Sequence, residues 1–144
     1  MVLTLKTTKK PALTITRTAT KANELVYVAV ANRKIKYTTG QSRIVYIGTT
    51  KVGARRIAAS AAAKANDMLK IRGVQHLELF VVTCKSVPHV KTWHKLERGL
   101  ILAFREIFGS PPIRNKTGQK MRWTDELTYF TRSRLDTVVR KYSH

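Results

Sequence analysis

Apolar positions along this chain change period several times, and each change marks an element. Residues 25–31, Leu-Val-Tyr-Val-Ala-Val-Ala, form an unbroken apolar run of strand length, with Leu25, Tyr27 and Ala29 on one face and Val26, Val28 and Val30 on the other. Residues 44–49 predict a second strand in which Tyr46 and Gly48 share a face and Val45 and Ile47 share the opposite one. Between them, residues 32–43 carry Thr38-Thr39-Gly40-Gln41-Ser42 behind several basic side chains, a turn composition that predicts a long hairpin loop.

From about residue 53 the period becomes helical. Ile57, Ala61, Ala65 and Met68 form one stripe over residues 53–69, with Arg56 beside the stripe and not within it. A turn at Arg72-Gly73 leads into a third strand over residues 75–83. Pro88 suits the first turn of a helix expected over residues 88–108, which Gly109-Ser110-Pro111-Pro112 ends. A last amphipathic helix is expected over residues 124–142, with Leu127, Phe130, Leu135, Val138 and Val139 on its apolar side. Residues 1–22 lack a sustained period and read as a loosely held basic arm, with Lys6, Lys9, Lys10, Arg17 and Lys21 and one edge strand near residues 13–16.

Charge changes the picture more than length does. The 144 residues suffice for one domain with its own core, but 28 lysines and arginines stand against 8 acids, a formal charge of +20. Surfaces built only for solubility mix both signs, so this excess points to a polyanion, and nucleic acid is the expected partner. A membrane is not, since no run approaches the roughly 20 apolar residues of a spanning helix. Residues 1–10 lack the apolar segment of a secretory signal, and the single Cys84 cannot form an internal disulfide. Both suggest an intracellular, cytoplasmic or nucleoid-associated protein. Cys84 ends a strand-like run and reads as a structural thiol.

Candidate chemistry gathers on few residues. Tyr46-Ile47-Gly48 closes the second apolar run, Arg56 follows eight residues past the glycine, and Leu25-Val26-Tyr27 carries a second tyrosine. On the 88–108 helix, Trp93, Leu96, Leu100, Ile101 and Phe104 mark an inward face that Glu97 interrupts. A carboxylate placed there must be paired with a base or coordinate a metal, and periodicity leaves both open. His94 is either polar surface or a metal partner, and no second His or Cys stands at zinc-site spacing. Asn115, in Ile113-Arg114-Asn115-Lys116-Thr117-Gly118, suits a turn. Phosphodiester hydrolysis needs an activated water, a cation against the phosphoryl oxygens and help for the leaving oxygen. A phenol is a poor base unless nearby positive charge favours the phenolate, and an arginine and a metal would supply that charge.

Taken together, these residues resemble the GIY-YIG endonuclease family, over residues 25–118. Leu25-Val26-Tyr27 stands for the first motif and Tyr46-Ile47-Gly48 for the second; Arg56 lies at the family spacing, and Leu96-Glu97 followed by Arg114-Asn115 resembles the closing elements. The resemblance implies an α+β fold, a small antiparallel three-stranded sheet flanked by helices. It implies a basic arm at 1–22, a nuclease-like domain at 23–120 and an added C-terminal helix at 121–144. It also implies Tyr27 as general base, Tyr46 as its hydrogen-bonding partner, Arg56 as phosphate clamp, Glu97 as ligand of one divalent ion, Mg2+ or Mn2+, and Asn115 as a residue that shapes the pocket. Leu25 replaces the family's first glycine, the segment between the tyrosines is longer than in compact members, and Ser60 stands where many relatives have histidine or tyrosine.

The implied activity is metal-dependent cleavage of DNA, double-stranded or branched. Lys34, Lys36, Arg43, Lys51, Arg55, Lys116, Arg132 and Arg134 are its expected contacts, with Arg140 beside them on the last helix. The rival is a basic domain that binds DNA or RNA without cutting. A ribosomal type of RNA-binding protein would explain the charge but gives no reason for Glu97 within an apolar stripe.

Overall fold

A strand that is apolar at every position must be covered on both faces. The computed structural model, which describes residues 1–11, 14 and 22–144 apart from the side chains of Ala54, Arg55 and Ala61, meets this demand in its first strand. β1 (Leu25–Tyr37) is the middle of a three-stranded antiparallel sheet of order β2-β1-β3, with β2 (Gly40–Thr50) and β3 (Leu77–Val82) at the edges. Every residue from Leu25 to Ala31 is buried. α1 (Ala54–Leu69) covers the face that bears Leu25 and Tyr27, through Ile57. α4 (Arg132–Ser143) covers the opposite face, where Tyr142 stacks on Phe80 with ring centroids 4.8 Å apart. Between them in sequence come α2 (Thr92–Phe108), which supplies Leu96, Leu100, Ile101, Phe104 and Phe108 to the core, and the single turn α3 (Glu126–Tyr129). The fold is thus α+β, as expected from the pattern of strands and helices.

Three expectations need correction. Residues 32–43 do not form a long loop: β1 runs on to Tyr37 and only Thr38 and Thr39 separate it from β2. The cause is an alternation in which Lys34 and Lys36 face solvent while Ile35 and Tyr37 are buried. Tyr37 donates from its hydroxyl to the Ile44 carbonyl at 2.6 Å and packs edge-on against Phe104 at 4.9 Å. The extra length is absorbed in a bulge, where residues 31–34 oppose Arg43 alone. Arg43 closes it by donating from Nε to the Ala31 carbonyl at 2.7 Å. The hairpin tip is fastened as well, since Thr39 donates to the carbonyls of Phe108 and Ile107 and so satisfies two terminal acceptors of α2. Beside it Gly109 ends α2 in the left-handed region at φ 81°, a conformation that costs glycine little.

The second correction concerns Pro88, which does not open α2. The Val90 N–H bonds the Val87 carbonyl and His89 takes φ 62°, so residues 87–90 make a turn of type II pattern and α2 starts at Thr92. The third is that residues 124–142 are not one helix. Phe130 and Thr131 are extended and separate α3 from α4. The geometry demands the break: the site where Gly99 would carry a Cβ lies within 4 Å of both Leu135 and Glu126. Nine residues along one helix, at about 100° each, would put those two side chains on opposite sides. Leu127, expected on the apolar side, is accordingly exposed.

The third strand is shorter than residues 75–83, and Cys84 lies beyond it as a free, half-buried thiol against the core. The described residues of the N-terminal arm are exposed and without regular structure. The edge strand expected near residues 13–16 (Thr14 apart), together with Arg17 and Lys21, lies outside the described residues. No helix among the described residues is long and apolar enough to cross a membrane.

Glu126 is the most buried charge of the core, and it is well supplied with donors. Arg98 Nε stands 2.6 Å away, with the Thr124 N–H at 2.7 Å and the Thr124 hydroxyl at 3.1 Å. Burial alone would raise its pKa; the Thr124 N–H, Arg98 and the other donors outweigh that and bring it down to about 2. Because the folded value lies below the unfolded one, this carboxylate's contribution to stability is present above about pH 4.5 and is lost as pH falls toward 2. Replacing it by glutamine leaves Arg98, which still reaches solvent, without its anion. Glu126→Gln is therefore expected to lower stability by about 1–2 kcal/mol in urea unfolding, and to flatten the fall in stability below about pH 4.5.

Candidate active site

The site is built where β1, β2 and α1 meet. Tyr27 lies directly opposite Gly48 in the β1–β2 ladder, and Ala29 opposite Tyr46, so the two tyrosines stand diagonally on one face. Gly48 is what lets them meet. A Cβ at that position would lie 2.6 Å from Tyr27 Cζ and Oη and 2.6 Å from Tyr46 Cε1. The Tyr27 ring fills the space above the glycine, and its centroid lies 5.9 Å from that of Tyr46, the planes tilted by 41°. Tyr27 is 3% exposed, so its hydroxyl needs partners inside the protein.

α1 supplies them. Arg56, Ser60 and Lys64 follow at intervals of four and so share one side of the helix. The Ser60 hydroxyl bonds Tyr27, Tyr27 bonds Tyr46, and Lys64 Nζ donates to Tyr46 Oη at 2.7 Å while lying 4.1 Å from that ring's centroid. Arg56, one turn nearer the helix start, is exposed, and its guanidinium has no hydrogen bond or ion pair among the described residues. Lys64 carried no signal in the sequence beyond being one of 28 bases. Its spacing of eight from Arg56, two helical turns, was the one clue available.

Glu97 approaches from α2. Its side chain is 22% exposed and makes no hydrogen bond among the described residues; the nearest cation-forming atom is His94 Nδ1 at 3.7 Å. Burial pushes its pKa up to about 7, against the pull of Lys64 and Arg98. Its charge is felt by Tyr46, whose pKa burial raises, the Tyr27 hydrogen bond lowers and Glu97 raises further. Tyr27 is pushed up to about 12, chiefly by burial and then by Tyr46. His94 is shifted down by burial and by the charges of Lys91 and Lys51, which favours its neutral form. A cleft of about 480 Å³ is lined by Lys91, His94, Lys95, Arg98, Asp125 and Glu126; Glu97 is not among its lining residues.

Asn115 has a definite task. Its Nδ2 donates to the Ile47 carbonyl at 2.8 Å and its Oδ1 accepts from the Ile47 N–H at 3.0 Å. The amide thereby completes the open edge of β2 between Tyr46 and Gly48, and the adjacent Arg114 N–H bonds the Val45 carbonyl. Asn115 shapes the site through the strand and spends both amide groups doing so.

The structure thus brings together Tyr27, Tyr46 and Glu97, adds Ser60 and Lys64, places Arg56 on the adjoining helix side and leaves Asn115 behind the strand. The outlying bases divide. Lys34, Lys36, Lys51, Lys116 and Arg134 are exposed. The Arg55 side chain lies outside the described residues. Arg43 is committed to the β1 bulge, and Arg132 is paired with Glu106 and Asp136 and packed over Trp123. Neither arginine is free to meet a phosphate without giving up those contacts.

Among the described residues no three His, Cys, Asp or Glu side chains converge as a metal-binding group. Glu97 is a single carboxylate, partly exposed and without a hydrogen bond among the described residues. That donor set suits a hard cation that keeps its own water and takes oxygens from a phosphate, as Mg2+ does, and does not suit zinc. Comparison of the chain with family models, with curated proteins and with solved structures finds no match.

Because Gly48 separates the two phenols, Gly48→Ala is expected to break their contact while leaving the backbone allowed. Destabilisation of about 1–3 kcal/mol is expected from forcing a methyl into filled space. Loss of the Tyr27–Tyr46 ring contacts in NOE spectra of the folded variant is the check; unchanged contacts would mean that Gly48 does not hold the pair.

Proposed function

We propose that this protein is a divalent-metal-dependent endonuclease that hydrolyses phosphodiester bonds in DNA. The observation that carries the reading is the convergence of two hydrogen-bonded phenols, a lysine and an under-partnered glutamate at one glycine-floored site, in a chain of charge +20. Structural tyrosines need no lysine and no half-buried carboxylate beside them. In-line attack of water on phosphorus has a use for each of them: a phenol to take the proton, cations against the phosphoryl oxygens, and a carboxylate to hold a metal.

The roles divide as follows. Glu97 would hold Mg2+ or Mn2+, which when bound supplies positive charge to the phosphoryl and leaving oxygens. Arg56 sits at the start of α1, where no acidic residue occupies the first turn and no side chain caps the helix. A cation there opposes the helix dipole, and an arriving phosphate relieves both the uncapped N–H groups and the arginine charge. The proton of the attacking water goes to the Tyr27–Tyr46 pair. Exposed Lys34, Lys36, Lys51, Lys116 and Arg134 give the flanking backbone its electrostatic hold. The DNA form recognised is duplex or branched, and Arg43 and Arg132 are left out of the contact set because each already has internal partners.

The deciding experiment is plasmid relaxation with Mg2+ and with chelator. Nicking or linearisation that requires the metal is expected; tight binding with no cleavage under any divalent ion would establish the non-catalytic rival. Glu97→Gln is expected to abolish cleavage while DNA binding is kept, measured on one folded preparation. In the unaltered protein, Glu97 with a pKa of about 7 becomes a carboxylate as pH rises through that value. Metal-dependent turnover is therefore expected to climb from about pH 6 to about pH 8.

Binding has its own test. Removing Lys34 and Lys36 together is expected to reduce the dependence of log K on log salt by roughly 0.9 per lost phosphate contact, with no change in sequence preference. Replacing Arg43 should leave that slope alone and lower stability instead, since its guanidinium closes the bulge. Fluorescence anisotropy over a salt series separates the two.

A further inference from the structure

We propose that Lys64 is the positioning residue of the tyrosine pair and that it makes Tyr46, not Tyr27, the phenol that receives the proton of the attacking water. The inference rests on the endonuclease reading above for its chemistry, and on the contact of Lys64 with Tyr46 for its geometry. An ammonium group has donors only, so at 2.7 Å Lys64 Nζ must donate to Tyr46 Oη. Ser60 also bonds Tyr27, and Tyr27 bonds Tyr46. In the proposed order donation runs from Ser60 through Tyr27 to Tyr46, so that Tyr46 Oη accepts from both Tyr27 and Lys64 and its own proton is the one not used inside the protein.

Those two donors favour a negative charge on Tyr46 Oη and hold Tyr27 as the neutral donor. Exposure agrees, because Tyr27 is 3% exposed on the inner strand while Tyr46 is half-buried on the edge strand. Among the described residues the other groups felt by Tyr46 are Glu97 from α2 and Tyr27 from β1. Glu97 opposes a phenolate, and the Lys64 ammonium offsets it. Tyr46 Oη first gives its own proton to solvent. The phenolate then takes the water proton as the water oxygen bonds phosphorus, the bond to the leaving oxygen breaks and that oxygen is protonated from solvent, and Lys64 keeps its three protons throughout.

Lys64 is exposed, so substitutions there should fold. The test uses full-length protein labelled with 13C at tyrosine Cζ, at fixed neutral pH, with Tyr46→Phe and Tyr27→Phe assigning the two resonances. Lys64→Met is expected to move the Tyr46 resonance and, less, that of Tyr27, leaving Tyr37, Tyr129 and Tyr142 in place, whereas Lys64→Arg keeps the native positions. A Tyr46 resonance indifferent to Lys64→Met overturns the proposal. In plasmid nicking, Lys64→Met is expected to lower kcat by about 100-fold with KM nearly unchanged, Lys64→Arg to recover most of it, and Tyr46→Phe to cost more than Tyr27→Phe. Equal activity of Lys64→Met and the unaltered protein, or a greater loss for Tyr27→Phe, also overturns it. Absence of nicking in the unaltered protein would sink the endonuclease reading and with it the proton transfer, while the resonances would still decide the direction of the hydrogen bonds.

Discussion

The burial of β1 on both faces is the constraint from which the rest follows. A strand with apolar residues at every position from 25 to 31 can lie only between layers, and that placement puts the one polar side chain of the run, Tyr27, inside the protein. A buried hydroxyl without a partner costs on the order of 1–3 kcal/mol, so the elements around it have to bring oxygen or nitrogen to it. Gly48 on the neighbouring strand removes the side chain that would block the ring, Tyr46 offers an acceptor, and α1 lays Ser60 alongside. The candidate site is in this sense the set of groups needed to satisfy one phenol in a closed core, extended outward until it reaches solvent at Lys64.

The distribution of charge follows a similar logic. A surplus of bases does not make every base a contact for an anion. Arg43, Arg98, Arg105 and Arg132 donate to carbonyls or carboxylates of the fold itself: Arg43 closes a bulge, Arg98 meets Glu126, Arg105 binds the Gly118 and Met121 carbonyls, and Arg132 spans Glu106 and Asp136. Arginine suits such work because its several donors lie in a fixed plane and its charge is lightly hydrated. Lysines dominate the remainder, exposed along Lys34, Lys36, Lys51 and Lys116. It is the lysines and the few unpaired arginines that carry the long-range field.

Most of the sheet was legible from the chain, and the reasons for the misses are physical. The three strands and the course of α1 follow from apolar period, which burial enforces directly. Residues 32–43 misled because lysines draw attention away from alternation: Lys34-Ile35-Lys36-Tyr37 has a period of two, and the inward Ile35 and Tyr37 outweigh the outward charges. Pro88 fits a helix start and a turn equally well, and the choice lay with His89, whose positive φ no local pattern announced. The break at Phe130 was beyond local reading altogether, since it arises from two side chains, Glu126 and Leu135, meeting the same glycine of α2. At the site, Tyr27, Tyr46 and Glu97 were recognisable by spacing, whereas Lys64 required knowing which side of α1 faces the tyrosines.

Two glutamates show most clearly how function separates from structure here. Glu126 and Glu97 are both drawn out of water, and a sequence reading found only the second, because it sat within a regular stripe and the first did not. Their surroundings differ in kind. Glu126 receives an arginine, a backbone N–H and a hydroxyl, and its pKa falls to about 2; its oxygens are satisfied without any ligand. Glu97 receives no hydrogen bond among the described residues and its pKa rises to about 7. A fold that can satisfy one buried carboxylate so fully has the means to satisfy another, with Lys64 and Arg98 both near enough to be felt by Glu97. That those cations stop short, and that Lys64 is instead spent on a phenol 2.7 Å away, leaves the Glu97 carboxylate as the unmet demand of the structure. An incoming cation with phosphate oxygens attached would meet it, and would add beside Tyr46 the positive charge that a phenolate needs.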